Sequence, residues 1–142
     1  MTPVFVDTGA WLALMVKRDQ DHARAAAHYR RLSKAKRPLL TTNYILVETY
    51  TRIRYDDGLE KAIRFHEILR QALQVGRLQL EWITPSLHDE AWQLFQRYKD
   101  QEFSFVDCTS FVVARRAGVT EVFGFDAGFR TMGFMLRPGR TG

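Results

Sequence analysis

Four acidic residues, Asp7, Glu48, Asp107 and Asp126, stand in locally apolar stretches of the chain. An ionised carboxylate among apolar neighbours must be paired, capped or metal-bound, because burying an isolated charge is too costly. Each acid has a purely structural account. Asp107 and the Ser104 that precedes it can form a capping box, each side chain holding the other's amide. Ser110, one turn further on, shares that helix face. Glu48 and Arg52 can make an i,i+4 pair worth about 0.2–0.5 kcal/mol. Asp7 or Thr8 can cap a helix, and Asp126 can open a turn. Taken together, the four have a second account. Two close short apolar runs, two ride on apolar helices, and such acids can meet at one crevice. A carboxylate cluster without Cys or His ligands suits a hard cation, Mg²⁺ or Mn²⁺. Its characteristic chemistry is phosphodiester hydrolysis, with two ions about 4 Å apart activating water and stabilising the leaving oxygen.

The elements that must position these acids alternate between β and α. Val4–Thr8 (VFVDT) reads as a buried parallel strand that delivers Asp7 to the carboxyl edge of a sheet, where open α/β sheets place ligands. Thr8-Gly9 turns the chain and AWLALMV forms a short helix. Residues 21–36 form an amphipathic helix whose His22 and His28, on different faces, read as solvated. Pro38 ends it, Leu39–Thr41 is a strand, and Thr42 or Asn43 caps the helix NYILVETYTRIRY, with Glu48 among residues expected to be buried. After the Asp57-Gly58 turn, Leu59–Gly76 is a long amphipathic helix whose apolar stripe serves packing or a dimer face. Leu78–Ile83 alternates as a strand, and Pro85 opens a helix to about Lys99 with Trp92 and Phe95 toward its core. Phe103–Gly118 is the central helix, closed by Gly118. Glu121–Asp126 repeats the opening pattern, Gly133–Arg137 is a last strand, and residues 137–142 are expected to be a flexible tail.

The chain has 142 residues, 46% of them hydrophobic and 26% charged, which fits a single globular domain spanning 1–142. A net charge of +5 favours a polyanionic partner, weakly. The single cysteine, Cys108, excludes an internal disulfide and fits a reducing cytoplasm. The segment from Met1 to Val16 lacks a basic start and carries Asp7, so it is no signal peptide. Its uncharged stretch is far short of the roughly 20 residues that span a bilayer, so no membrane association is expected.

The pieces FVDTGAW, TTNYILVET, FSFVDCTSFVVARRAG and VFGFDAGFRTMGF resemble, in order and spacing, PIN-domain ribonucleases, most of all the VapC-type toxins of toxin–antitoxin pairs. That resemblance covers nearly the whole chain. It implies an α/β fold, a PIN-like α/β/α sandwich with a small, mostly parallel central sheet. It also implies Mg²⁺- or Mn²⁺-dependent cleavage of RNA, a homodimer, and inhibition by a small antitoxin protein. By the same resemblance Asp7, Glu48 and Asp107 are catalytic metal ligands, and Asp126 is a fourth, more variable one. Thr8 matches the hydroxyl residue after the first acid; with Ser104 and Ser110 it is expected to steady the carboxylates. Arg52, Arg54, Arg115 and Arg116 are candidates for holding RNA phosphates. One departure stands out: where many relatives carry Thr or Ser two residues before the fourth acid, this chain has Gly124. The alternatives are a catalytically inactive PIN-fold module that binds RNA or a partner, and a housekeeping nuclease that is not a toxin. A phosphohydrolase with Asp7 as nucleophile is disfavoured, because the second Asp expected two residues on is Gly9.

Overall fold

Three apolar runs with no polar alternation form the middle of the sheet, because a parallel strand covered by helices on both faces has no solvent side to serve. The structure, a computed structural model, describes residues 1–140. Its strands are β1 (Val4–Val6), β2 (Leu39–Thr42), β3 (Leu78–Glu81), β4 (Glu121–Gly124) and β5 (Met135–Pro138), in the order β3-β2-β1-β4-β5. Every pairing is parallel. All residues of β1, β2 and β4 are buried, whereas the edge strands β3 and β5 are only partly covered.

The connections carry α1 (Thr8–Met15), α2 (His22–Lys34), α3 (Asn43–Asp57), α4 (Leu59–Gln74), α5 (Pro85–Arg97), α6 (Phe105–Arg116) and α7 (Gly128–Thr131). Strand order runs outward from β1 in both directions. Right-handed crossovers therefore send the helices of the two halves to opposite faces, and the carboxyl ends of β1 and β4 open a crevice where the order reverses. The Asp7 amide donates to the Phe123 carbonyl at 3.1 Å, tying those two strand ends together. Local capping fixes where the acid-bearing helices begin. Thr42 Oγ1 accepts from the Ile45 amide at 3.1 Å to start α3, and Ser104 Oγ accepts from the Asp107 amide at 3.0 Å to start α6.

Several expectations change. Trp92 and Phe95 do not face the core: Leu87, Ala91 and Leu94 take that stripe, leaving Trp92 46% and Phe95 37% exposed against the edge of Phe105. Val47, beside Glu48, is 63% exposed rather than buried. His28 is buried rather than solvated, its ring 5.1 Å from that of Phe123. The reason is Glu121, which opens β4 inside the protein and needs positive company. His28 Nε2 lies 3.4 Å from its carboxylate without hydrogen-bond alignment, and Arg37 and Arg137 approach at 3.5 and 3.8 Å. Burial lowers the imidazole's pKa while Glu121 opposes that shift. The apolar stripe of α4 is internal, with Ala62, Phe65 and Leu69 buried.

The tail expected from residue 137 is instead anchored through residue 140. Arg137 and Pro138 pair with Phe123 and Gly124 in β5, the Gly139 amide donates to the Gly124 carbonyl at 3.1 Å, and Arg140 pairs with Asp21. Residues 141 and 142 lie outside the described residues. Among the described residues no helix is long and apolar enough to cross a membrane.

Phe111 is fully buried on α6, with ring centroids 5.0 Å from Phe103 and 5.1 Å from Phe129. Phe111→Ala is expected to cost about 3–5 kcal/mol. At roughly 3 °C per kcal/mol, thermal denaturation should then fall by about 10 °C or more. An unchanged midpoint would show that the aromatic cluster does not hold α6 in place.

Candidate active site

Asp7 follows β1 directly and stands at the N-cap position of α1, yet its side chain makes no capping hydrogen bond. The capping is done by its carbonyl, which accepts from the Ala10 and Trp11 amides at 3.1 and 3.3 Å. The carboxylate is thus left to the cleft. Glu48 is half-buried on α3, and among the described residues no ion pair joins it to Arg52. Asp107 does close the capping box, its Oδ2 accepting from the Ser104 amide at 2.9 Å. The bond leaves Oδ1 uncommitted, so capping and a role in the cleft coexist. Asp126 is exposed just after β4, and its Oδ1 accepts from the Gly128 amide at 2.9 Å, so it too serves a turn. All four acids line one open cleft of about 580 Å³, together with Thr8 and Arg52.

Burial, with the neighbouring charges adding to it, raises the proton affinities of Asp7 and Asp107. Burial, above all, pushes Asp7 up to about 8, and the charges of Asp107, Asp126 and Glu48 add to it against the lowering effect of the Thr8 amide. Asp107 rises to about 6, again chiefly by burial, with Ser104 hydrogen bonds opposing and Asp126 and Glu48 adding. A bound cation offsets the same repulsion that otherwise draws protons to these groups.

The donor set fits a hard divalent cation: it is carboxylate oxygen, with no imidazole or thiolate on the cleft among the described residues. Cys108 is buried beside Asp107 and its thiol is pushed up to about 11 by burial and by that carboxylate, so it supplies no soft ligand. The enclosed Thr8 Oγ1 on the cleft wall has no hydrogen-bond partner among the described residues, leaving a hydroxyl to donate to a carboxylate or its ligand sphere. As they stand, no three His, Cys, Asp or Glu side chains among the described residues converge on a metal-binding point. Bringing them together requires side-chain rotation, which the long Glu48 and the uncommitted Asp107 oxygen permit.

The remaining candidates separate. Ser104 acts on Asp107 through the cap, while Ser110 is buried on α6, its Oγ without a hydrogen-bond partner, and does not line the cleft. Of the four arginines, only Arg52 reaches the cleft. Arg54 is exposed elsewhere on α3. Arg115 and Arg116 line a different hollow with Glu90 and Arg97; Arg116 grips Glu90 at 2.9 and 3.2 Å and Arg115 donates to the Met132 carbonyl at 3.3 Å. Helix rise explains this, since nine residues carry Arg116 about 13 Å along α6 from Asp107. Missed from the sequence were Arg130 and Arg140, with Asp19 and Asp21, all on the cleft. Arg130, one helical turn after Asp126, carried a usable signal; Arg140, beyond Pro138, carried none.

The sequence matches the PIN domain family over residues 4–135. The chain belongs to the PIN-domain family. It is 34% identical over 137 residues, 95% of this chain and 98% of the relative, to the 23S rRNA-specific endonuclease VapC20 of Mycobacterium tuberculosis. The crystal structure of that VapC20, described as a sarcin-ricin loop cleaving toxin, superposes with a TM-score of 0.79 at 33% identity, covering 93% of this chain and 96% of that one. VapBC2 from Rickettsia felis, bound to a DNA fragment from its promoter, matches with a TM-score of 0.69 at 12% identity, covering 94% and 96%. FitAcB from Neisseria gonorrhoeae matches at 0.65 and 18%, covering 94% and 95%, and these last two likenesses speak for the fold alone.

Within the PIN domain Gly124 now has a physical reason. A Cβ there would lie 3.2 Å from Asp7 Cβ and 3.8 Å from Asp7 Oδ2, so the bare backbone of β4 makes room for the first acid. Gly124→Thr is expected to press on Asp7 and lower activity more than stability, read as a change in turnover larger than the shift in melting temperature.

Asp7 also sets a pH dependence. Its folded pKa of about 8 exceeds its ordinary 3.8, so between those values the folded state holds more protons than the unfolded. Metal-free stability is therefore greatest at low pH within this window and declines as pH rises from about 4 to about 8. Asp7→Asn should flatten that decline and raise the melting temperature at pH 8. Urea midpoints across this range, for both proteins without metal, check it; parallel profiles would remove Asp7 as the cause.

Proposed function

We propose that this PIN domain is a divalent-metal-dependent endoribonuclease of the VapC toxin kind, restrained by a small antitoxin protein and acting in the cytoplasm as a homodimer. The observation that carries the reading is the gathering of Asp7, Glu48, Asp107 and Asp126 on one cleft at the carboxyl ends of β1 and β4. Similarity to a 23S rRNA-specific endonuclease over 95% of the chain supports RNA, structured ribosomal RNA in particular, as the substrate class.

Asp7, Glu48 and Asp107 would hold Mg²⁺ or Mn²⁺, with Asp126 toward a second ion. When bound, the ions supply activation of water and neutralisation of charge on the departing oxygen. The chain's own groups do the rest. Ser104 fixes Asp107 through its amide, which limits the carboxylate's freedom at the start of α6. Thr8 offers a hydroxyl inside the cleft. Arg52 supplies positive charge beside Glu48 for a substrate phosphate.

Asp107→Asn keeps an acceptor for the Ser104 amide and removes the charge. It should fold as the wild type does, yet cut RNA more than 100-fold more slowly, beyond the roughly 10–100-fold that loss of an outer partner costs. EDTA should abolish wild-type cleavage and added Mg²⁺ restore it. Wild-type rates in the variant would reject the assignment. Producing the protein alone should arrest bacterial growth, with relief by Asp7→Asn or by the antitoxin; growth without arrest, despite active nuclease, would leave the enzyme and remove the toxin.

A further inference from the structure

The cleft has a basic side made by chain that follows the last strand. Asp21 is buried at the N-cap position of α2, but its side chain does not cap the helix. Its Oδ2 accepts instead from Arg140 Nε and Nη2 at 3.2 and 3.0 Å, and its Oδ1 lies 3.6 Å from Arg24 Nη1. The guanidinium carbons of Arg24 and Arg140 sit 5.8 and 6.0 Å from the centre of the Phe125 ring, the residue before Asp126. Arg24 also donates to the carbonyls of Gly139 and Pro138. The Gly139 amide in turn bonds to Gly124, the residue that makes room for Asp7. Arg140 is thus tied to the same backbone that presents two of the four acids, and it lines their cleft beside Arg130.

The pair anchors the end of the described chain, yet its net gain in stability is small. Enclosing a carboxylate and pairing it with arginine rarely gains more than its desolvation costs. What the pair does is hold a guanidinium in one place. A guanidinium has five N–H donors, and Asp21 takes two of those of Arg140, whose side chain remains 58% exposed. The remaining donors are fixed in a fork suited to phosphate oxygens. A cleft with four carboxylates repels a polyanion, so RNA needs cationic groups beyond the metal to settle there. Arg140 and Arg130 place such groups within the same cavity as Arg52, from different elements of the chain.

We propose that Arg140, oriented over Phe125 by buried Asp21, binds an RNA phosphate neighbouring the one that is cleaved. This rests on the endoribonuclease reading, and the two are tested separately. Binding of a fluorescein-labelled RNA hairpin is followed by anisotropy between 50 and 200 mM salt, with the full chain carrying Asp107→Asn to prevent cutting. Adding Arg140→Ala should raise Kd about tenfold and lower the slope of log affinity against log salt by about one phosphate contact. Arg140→Lys should keep the slope and recover part of the affinity. Asp21→Asn, which leaves the charge but loosens its position, should weaken binding with the slope nearly intact. Should the alanine variant unfold, Arg140→Gln removes the charge while keeping a donor for Asp21. An unchanged salt slope in the alanine or glutamine variant overturns the proposal, and a fall in melting temperature with no change in binding marks Arg140 as a strut alone. Cleavage of the same hairpin by the wild type with Mg²⁺ tests the nuclease reading on its own, since its absence leaves the binding comparison readable.

Discussion

The structure depends on holding the carboxylate of Asp7 inside the protein, 7% exposed, within the field of three other acids. Everything around it makes that placement unavoidable. The Val4–Val6 strand is enclosed on all sides, the Asp7 amide is bonded to β4, and its carbonyl caps α1, so backbone on both sides is committed. Gly124 removes the one Cβ that would push the side chain away. The cost of the arrangement falls on the charged form of the site, which is the form a divalent cation stabilises. Holding like charges together in this way costs the fold stability whenever they are ionised and uncompensated.

Glu121 shows the opposite solution at the other end of the same strand pair. It is equally enclosed, at the start of β4, but His28, Arg37 and Arg137 surround it with positive or ionisable groups. One buried acid is compensated by neighbours from α2, the following loop and β5, while Asp7 is left facing other acids. Parallel strands here carry a neutralised charge at their amino ends and an uncompensated one at their carboxyl ends, where open α/β sheets place ligands.

The elements were legible because their signals were local. Continuous apolar runs became buried strands, 3.6-residue periodicity became helices, and Ser104 with Asp107 announced a helix start. The four acids stood out because each contradicts its immediate neighbours, and the fold gathers them on one cleft. What stayed hidden depended on distant residues. His28 reads as solvated on an Ala- and Arg-rich helix until Glu121, 93 positions away, is brought beneath it. Trp92 and Phe95 look like core until the smaller stripe of Leu87, Ala91 and Leu94 is seen to fit closer against its neighbours. Arg140 lies past a proline that ends any periodic pattern, and only Asp21 gives it a place.

The strand order carries a consequence for the timing of synthesis. β1 is made first, yet one of its two flanking strands is β4, whose register joins Phe5 to Val122 and Val6 to Phe123. Until that late segment and the residues after it emerge, Asp7 has no Gly124 wall and no Asp126 opposite, and Asp21 has Arg24 but no Arg140 to hold. Nonlocal parallel pairings of this kind also form slowly. A ribosome that has made β1 but not yet β4 therefore carries the pieces of a nuclease without its cleft.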